Sequence, residues 1–266
     1  MTSNKIQNQP KQWDSHAQTY DLIYSASERR RVDEEIPFFQ FVFSSHAKCE
    51  VQNVLDITAG TGLQAVDLAK LGLNVTAADL SAAMLERCRR RAAEAGVELA
   101  RIVCRPAERT DEYDSFDACI SCFGSLNHIL EADRLQETFV RVHHALRSGG
   151  VFVFDLLNFV EDAMSCPPED VREGKSGGIA YRSVLTSRVD TWNSLLHYNE
   201  TTTINVPGQT ERQVSTNLVY RGYSRSEVVA LLAAQPWSDV ATYRGYLDRG
   251  ESNDERVFRM VFVCVK

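Results

Sequence analysis

The stretch of sequence from residue 54 to residue 79 constrains the fold of this chain most. Residues 54–62 read VLDITAGTG, an apolar strand followed by a turn with glycines at positions 60 and 62. The next apolar run, VTAAD, ends in Asp79. Glycines in such a turn let the backbone approach a ligand closely, and an acid at the end of the second strand accepts hydrogen bonds from ribose hydroxyls. The pattern predicts a nucleoside-binding crevice at the carboxyl ends of parallel strands.

The alternation of strands and helices continues up to residue 155. Strand patterns cover residues 51–57, 73–78, 99–104, 116–122 and 151–154, and helical patterns lie between them. Such alternation is typical of α/β proteins with helices on both faces of a parallel sheet. We therefore predict a Rossmann-like, doubly wound, mostly parallel sheet whose final strand is antiparallel.

The flanking segments predict additions to this core. Residues 1–12 are polar and are expected to form a disordered tail. Residues 13–178 hold two N-terminal helices, with Pro37 as a candidate kink, then the ligand-binding core and a loop over 156–178. Residues 179–222 are rich in Thr, Val and Tyr, which predicts a small antiparallel β cap over the crevice. Residues 223–266 are expected to complete the core sheet.

The charge balance and the cysteines limit the partners and the compartment. The chain has 29 Lys and Arg residues against 36 Asp and Glu residues, a net charge of −7, which argues against nucleic acid as a partner. No stretch approaches the roughly 20 apolar residues that span a bilayer, and the polar residues 1–10 are not expected to act as a secretory signal. The seven cysteines are interpreted as reduced thiols. We expect a cytoplasmic protein that acts on a small molecule, with its oligomeric state undetermined.

A CxxC pair at Cys119 and Cys122 is a candidate for redox or zinc chemistry, but we reject both. Residues three apart on a strand face opposite sides of the sheet, which prevents easy closure of a disulfide. The sequence contains no second CxxC pair to complete a zinc site. We therefore predict no metal site.

Two cofactors compete for the crevice. The spacing Gly60-x-Gly62-x-x-Ala65 satisfies the loose fingerprint of dinucleotide-binding turns. Asp56 favours the other candidate, because a carboxylate inside the first strand would repel a pyrophosphate and attract an ammonium group. S-adenosylmethionine carries an ammonium group and a ribose diol and has no phosphates. The alternatives are that Asp56 is a structural acid bonded to backbone N–H groups and that Asp79 caps the next helix.

The segment over residues 54–79 resembles motif I and the following acid of class I S-adenosylmethionine-dependent methyltransferases. LRSGGVFVFD over residues 146–155 is similar to the family's Leu-Arg-Pro-Gly-Gly segment before its fifth strand, and residues 115–117 resemble the opening of its fourth strand. Within the family, CFGSLNH over residues 122–128, the N-terminal helices and the region 179–222 resemble glycine N-methyltransferases and amino-sugar N-methyltransferases.

The chain departs from these patterns at three places. Thr58 stands where motif I usually has its first glycine, and Gly124-Ser125 replaces the Asn–Ser pair of the glycine enzymes. Arg105 occupies the place of an acid that often follows the third strand, with Glu108 displaced along the loop. The second departure changes the acceptor side, and the third leaves open how adenine is recognised.

The resemblance implies a set of cofactor-binding residues. Aromatic rings would face the sulfonium cation, and an arginine would bind the methionyl carboxylate. The plainer alternatives are that the tyrosines belong to the core and that arginines 29–31 form a solvated face. The predicted set is Tyr20, Tyr24, Arg31, Asp56, Thr58, Ala59, Gly60, Gly62, Asp79, Leu80, Met84, Ala107, Glu108 and Cys122.

The resemblance places the methyl acceptor between the loop after the fourth strand and the cap. His128 is the candidate catalytic residue, as the base for an oxygen or azole nitrogen, since a neutral amine needs no strong base. The alternatives are loop capping and ordinary strand faces. The predicted acceptor-binding residues are Ser125, Asn127, Tyr181, Arg182, Tyr198, Tyr220 and Tyr223.

The sequence thus predicts an S-adenosylmethionine-dependent methyltransferase that N-methylates a small soluble nitrogen compound. Three alternatives remain open from the sequence. They are a small-molecule O-methyltransferase, a nicotinamide-dependent oxidoreductase, and a protein that binds S-adenosylmethionine without catalysis.

Overall fold

The computed structural model describes residues 9–158, 168–176, 178–254 and 258–266. Its strands are β1 Asn53–Asp56, β2 Asn74–Asp79, β3 Arg101–Cys104, β4 Phe116–Ser121, β5 Leu146–Leu157, β6 Glu169–Ser176, β7 Ile179–Asp190, β8 Leu195–Asn205, β9 Arg212–Arg221, β10 Asp239–Tyr243 and β11 Arg259–Val265. Its helices are α1 Gln9–Ser45, α2 Leu63–Lys70, α3 Ala82–Glu94, α4 Ala132–Ala145 and α5 Arg225–Leu232, with 3₁₀ turns at Ala107–Arg109 and Ser125–His128.

The main sheet has the strand order β10-β11-β5-β4-β1-β2-β3. Strands β3, β2, β1, β4 and β5 are parallel, and β11 runs antiparallel to both β5 and β10. This arrangement confirms the predicted fold class. The chain moves outward from β1 to β3 and then returns to the other side of β1, so a crevice opens between β1 and β4, where doubly wound proteins bind ligands.

The two faces of the sheet bury different residues of the same strands. In β4, Ala118 and Ile120 pack in the layer with Phe38 and Phe39 of α1, whereas Cys119 packs in the layer with α4 and α5. Cys122 belongs to the first of these layers. The two cysteines of the CxxC pair therefore lie on opposite sides of the sheet, each as a free thiol.

The N-terminal segment forms one continuous helix where the sequence predicts two. Helix α1 runs for 37 residues and contains Pro37 within it. A proline removes one backbone hydrogen bond, and here the burial of the adjacent Phe38 and Phe39 side chains against Tyr246 outweighs that loss. The helix begins at Gln9, inside the predicted tail, and residues 1–8 lie outside the described residues. Within the described chain, no helix combines the length and apolarity needed to cross a bilayer.

Strands β6 to β9 form a separate four-stranded antiparallel sheet in sequence order, which we call the cap. Its first strand, β6, falls within the predicted loop over 156–178, of which residues 159–167 and 177 lie outside the described residues. The sequence of β6, EDVREGKS, is poor in strand-forming residues. Every one of its residues nevertheless pairs with β7, because strand formation depends on the neighbouring strand more than on intrinsic preference.

Candidate functional site

A cavity of about 380 Å³ lies between the carboxyl ends of the central strands, the N-terminal half of α1 and the cap. This volume falls within the range of small-molecule sites. Strands β1 and β2 and the turns after them supply one wall, α1 supplies the second and the cap supplies the third. The cavity thus occupies the crevice that the strand order creates.

The turn after β1 and the end of β2 are tied together by a buried acid. Asp79 accepts hydrogen bonds from the backbone N–H of Gly60 at 2.9 Å and of Ser81 at 2.8 Å. Ser81 itself caps α3, since its hydroxyl accepts from Met84 N at 3.1 Å. Asp79 therefore serves the turn and the cavity rather than the helix N-cap.

A second acid, Asp56, lies at the end of β1 and also lines the cavity. One of its oxygens accepts from Thr58 N at 3.2 Å. Burial, with a smaller contribution from the nearby Asp79, raises the pKa of Asp56 to about 8, although the Thr58 N–H opposes this shift. Burial raises the pKa of Asp79 to about 6, although the N–H groups of Ser81 and Gly60 oppose this shift. Two desolvated carboxyl groups side by side favour a ligand that brings positive charge and hydrogen-bond donors.

The two glycines of the turn have different surroundings, and they predict different mutant effects. A Cβ on Gly62, whose φ is +83°, would lie 2.4 Å from Cys88 Sγ, whereas a Cβ on Gly60 would meet nothing within 4 Å. We expect Gly62→Ala to destabilise the fold by about 2–4 kcal/mol, seen as a melting temperature lowered by roughly 5–10 °C. Gly60→Ala should melt closer to the parent, because only its φ of +53° is unfavourable.

The double variant Gly62→Ala, Cys88→Ala controls for the cause of this loss. Removing Cys88 Sγ should restore part of the melting temperature if the steric clash is responsible. Equal melting temperatures for Gly62→Ala and the parent would contradict the clash.

Helix α1 contributes an aromatic wall. Trp13, His16, Tyr20 and Tyr24 line the cavity and recur at intervals of three, four and four residues, which places them on one face of the helix. The helix is fastened to α3 by Asp14, which accepts from the Ser81 hydroxyl at 2.6 Å. Asp21 strengthens this attachment through ion pairs with Arg87 and Arg91. The side chain of Arg31, farther along α1, is not among those that the structure describes.

The cap lines the cavity with alternate residues of its four strands. Cross-strand pairing puts Leu185 opposite Asp170, Tyr198 opposite Leu218, and Leu196 opposite Tyr220. Because strand side chains alternate between faces, these residues share the face that looks toward α1. The cap residues on the cavity are Asp170, Arg172, Leu185, Ser187, Leu196, Tyr198, Leu218 and Tyr220.

The turn after β4 carries Ser125 and His128 to the cavity. The His128 ring packs edge-on against Trp13, with centroids 4.9 Å apart, and lies 4.1 Å from the Tyr220 ring centroid. Burial lowers the pKa of His128 to about 3, although a hydrogen bond with the backbone of Val219 opposes this shift. The imidazole is therefore neutral at physiological pH and links the turn to both α1 and the cap.

Most residues predicted from the sequence meet at this cavity. On the cofactor side these are Tyr20, Tyr24, Asp56, Thr58, Ala59, Gly60, Asp79, Leu80, Met84 and Cys122. On the acceptor side they are Ser125, His128, Tyr198 and Tyr220.

Apart from Arg31, whose side chain is not described, the other predicted residues lie away from the cavity lining, in structural roles. Gly62 is pressed against Cys88, and Ala107 packs in the core. Glu108 pairs with Arg134, and Arg182 pairs with Glu173 on the exposed side of the cap. Tyr181 lies over Gly174 of the neighbouring strand. The fully buried Tyr223 donates to Ile129 O at 2.5 Å, and Asn127 bonds to backbone groups of Leu157 and Arg221.

Sequence reasoning missed several cavity residues, among them Trp13, His16, Asp170, Arg172 and Arg259. The helical spacing of Trp13 and His16 with Tyr20 and Tyr24 was a signal that could have found the first two. The others carried no such signal, because their position depends on the pairing of β6 and on the return of β11 beside β5.

Comparison with known proteins shows that part of this chain is similar to methyltransferases. Residues 54–150 match the family model of the methyltransferase domain. A putative methyltransferase of Geobacillus sp. is 31% identical over 145 residues, which cover 54% of this chain and 57% of that protein. A demethylmenaquinone methyltransferase of Clavibacter sepedonicus is 39% identical over 106 residues, covering 38% of this chain and 40% of its own length. The chain thus spans about half the length of these curated relatives.

Among solved structures, the sugar N-methyltransferase KedS8 from Streptoalloteichus shares the fold. The two structures superpose with a TM-score of 0.74 over 93% of this chain and 92% of that one, at 18% sequence identity. The shared region therefore includes most of the cap and of α1 as well as the central sheet. The family match favours a methyl-donor cofactor over the dinucleotide that the glycine spacing alone permitted.

Proposed function

We propose that this chain, which carries a class I S-adenosylmethionine-dependent methyltransferase domain, transfers a methyl group to the nitrogen of a small amine. The observation that carries this proposal is the enclosed cavity in which the acids Asp56 and Asp79 face an aromatic wall from α1 and the cap. The two acids suit the binding of the methyl donor. The aromatic and apolar remainder matches a small acceptor held away from water.

The buried groups of the cofactor side fit S-adenosylmethionine. Each Asp79 oxygen already accepts one backbone N–H and retains a second acceptor site for a ribose hydroxyl. Asp56, with one backbone bond, would hold the ammonium group. The open space at Gly60 lets a ligand approach the backbone. When bound, S-adenosylmethionine supplies a methyl group on a positively charged sulfur, an activated electrophile.

The same acids disfavour a dinucleotide. A pyrophosphate at this turn would lie beside two carboxyl groups that burial already makes hard to ionise. The negative charge of a pyrophosphate would make both groups still harder to ionise, and the described part of α2 offers no basic residue in its first turn to neutralise it. The two carboxyl groups therefore support S-adenosylmethionine as the cofactor.

The acceptor side supports nitrogen as the nucleophile. The neutral His128, the tyrosines and the leucines of the cap can orient and desolvate an amine, which needs alignment more than a strong base. The likeness to the sugar N-methyltransferase KedS8 spans nearly the whole chain, including most of the cap. The demethylmenaquinone methyltransferase matches only 38% of this chain, so its acceptor is a weaker guide.

The experiment is a product screen with the purified chain and S-adenosylmethionine. The acceptor panel contains amino sugars, glycine and other primary and secondary amines, with phenols and a hydroxynaphthoquinone as oxygen and carbon acceptors. We expect S-adenosylhomocysteine to form with an amine, whose product gains 14 mass units. Methylation confined to phenols or to the quinone would overturn nitrogen as the acceptor atom. Saturable cofactor binding without turnover would support the non-catalytic alternative.

Cofactor binding should release a proton at pH 7. Ligand-free Asp56 is mostly protonated there, because burial raises its pKa to about 8, and an incoming ammonium group favours the ionised form. We expect the affinity to rise from pH 6 to about pH 8 and to fall above that, where an α-amino group itself loses its proton. Calorimetric titration in two buffers of different ionisation enthalpy measures the released proton.

Asp56→Asn is the matched control for this linkage. The amide keeps the shape of the side chain but cannot titrate. The variant should therefore bind S-adenosylmethionine more weakly and should release only the small fraction of a proton that comes from Asp79. Identical apparent enthalpies for the parent in both buffers would contradict the role of Asp56.

A further inference from the structure

His16 is a buried histidine on the aromatic wall of the cavity. It lies on α1 between Trp13 and Tyr20, lines the cavity and is 2% exposed. Its Nδ1 atom has no hydrogen-bond partner among the residues that the structure describes. Buried polar groups without a partner are uncommon in native proteins and call for an explanation.

The unpartnered nitrogen faces a buried acid of the cap. Glu200 on β8 is 2% exposed, and its Oε2 lies 3.8 Å from His16 Nδ1. That distance is too long for a hydrogen bond but short enough for an ion pair once the imidazole gains a proton. His16 and Glu200 thus form a histidine–carboxylate pair between α1 and the cap.

Hydroxyl groups hold Glu200 in place. Ser183 donates to Oε1 at 2.5 Å, and Tyr24 donates to Oε2 at 3.0 Å. Thr202 in turn donates to Ser183 at 3.2 Å. Two hydroxyls thus bond to the acid directly and a third holds one of them, while Oε2 keeps capacity for a further donor on the side of His16.

Burial lowers the pKa of His16 to about 4, so the ring is neutral at physiological pH and has one unprotonated nitrogen that can accept a proton. Other titratable groups surround the pair. The titratable and charged groups that face it are Tyr20 and Tyr24 on α1, Arg172 and Asp170 on β6, Tyr198 on β8, Tyr220 on β9, and His128.

We propose that His16 is a catalytic residue that takes the proton from the ammonium form of the acceptor, with Glu200 as its positioning partner. This inference rests on the proposed function and narrows the acceptor to a primary or secondary amine that is protonated in water. The acceptor N–H bond breaks, and its electron pair stays on nitrogen as the nucleophilic lone pair. The proton bonds to the imidazole, whose charge Glu200 faces, and passes to water when the product leaves.

The pair also fixes which imidazole nitrogen is basic. A proton on Nδ1 points toward Glu200, which leaves Nε2 with the free lone pair. His128 differs in this respect, since its ring bonds to the backbone of Val219. The two histidines of the cavity therefore have different roles. His128 packs against Trp13 and Tyr220 and orients the acceptor, whereas His16 accepts the proton.

The first test compares His16→Asn and Glu200→Gln with the parent, using the amine found in the screen. The Asn amide occupies the position of Nδ1 but accepts no proton. We expect kcat to fall about 100-fold in His16→Asn and about 10-fold in Glu200→Gln, with KM and the cofactor Kd within threefold of the parent. The kcat of His16→Asn should rise about tenfold per pH unit between pH 6.5 and 8.5, because this variant methylates only the free amine. The kcat of the parent should stay nearly constant over the same range.

His46→Asn is the control for a half-buried histidine outside the cavity, where it bonds to the Tyr243 hydroxyl at 2.7 Å. It should leave the rate and its pH dependence unchanged. A parent-like rate and pH profile in His16→Asn would overturn the inference while leaving the proposed function standing. A parent that methylates no amine would overturn both.

A second test needs no variant and so does not depend on how variants fold. Nitrogen-15 NMR of the S-adenosylhomocysteine complex reports the protonation of both His16 nitrogens at pH 7. We expect a neutral ring with its proton on Nδ1. A neutral ring with the proton on Nε2, or a fully charged ring, would overturn the proposal.

Discussion

Asp79→Ala should weaken S-adenosylmethionine binding by at least 100-fold and reduce methyl transfer in proportion. The carboxylate lies at the end of β2 on the cavity wall, with both oxygens retaining an acceptor site. Two hydrogen bonds from ribose hydroxyls to a charged group contribute about 3–6 kcal/mol together. Calorimetric titration with S-adenosylmethionine and with S-adenosylhomocysteine measures the loss.

Asp79→Asn separates ligand binding from the structural role of the same side chain. The amide oxygen can still accept from Gly60 or Ser81, so the turn should persist. Because burial raises the pKa of Asp79 to about 6, folding disfavours its charge, and the neutral amide removes that cost. The ligand-free variant should therefore melt within a few degrees of the parent while still binding the cofactor poorly.

Asp111→Ala is the surface control, since Asp111 pairs with Arg105 outside the cavity. Its binding should equal that of the parent. Parent-like affinity in Asp79→Ala would remove this acid from the cofactor site and with it the main support for the ribose assignment.

The cofactor side could be predicted from the sequence because its residues are close together in the chain. Asp56, Thr58, Gly60 and Asp79 all lie within two strands and the turn between β1 and α2, and the order strand, turn, helix, strand fixes their meeting point. No long-range pairing is needed to bring them together. Gly62 is the exception, because its packing against Cys88 depends on how α3 lies over the turn.

The acceptor side was less predictable because it depends on strand register. A shift of one residue moves every side chain of a strand to the other face, and the sequence does not give the pairing. Tyr198 and Tyr220 point into the cavity, whereas Arg182 lies on the opposite face of β7 and pairs with Glu173. Tyr181 lies too far along β7, beside Gly174, to line the cavity.

The N-terminal helix shows the same division between local and long-range information. The repeat of Trp13, His16, Tyr20 and Tyr24 is present in the sequence, but its function emerges only when α1 crosses the cavity. Asp14 and Asp21 fix that crossing through contacts with residues 66 to 70 positions away. His16 and Glu200 are still farther apart in the sequence, so no local sequence pattern predicts that they pair.

Asn127→Ala should be among the most destabilising single changes in the acceptor half of the protein. The side chain is fully buried and donates to Leu157 O at 3.0 Å and to Arg221 O at 2.7 Å. Its own oxygen accepts from Leu157 N at 2.9 Å. One amide therefore joins the turn after β4 to the end of β5 and to the end of β9 in the cap.

The truncation leaves three part-buried backbone groups without the Asn127 amide, each at a cost of up to about 1–3 kcal/mol. Relaxation and water recover part of this, so we expect a loss of about 3–5 kcal/mol and a melting temperature lowered by roughly 10 °C or more. Ser125→Ala is the control in the same turn, since its hydroxyl donates only to Cys122 O within the turn itself. Ser125→Ala should lower the free energy of unfolding by about 1 kcal/mol.

The effect on activity should separate Asn127 from a residue that contacts the acceptor. Because Asn127 lies next to His128, its loss frees the turn that orients the acceptor while leaving Asp56 and Asp79 in place. At a temperature where Asn127→Ala is folded, cofactor affinity should match the parent and kcat should fall. Parent-like stability combined with a raised acceptor KM would instead show that Asn127 contacts the acceptor, as the sequence alone suggested.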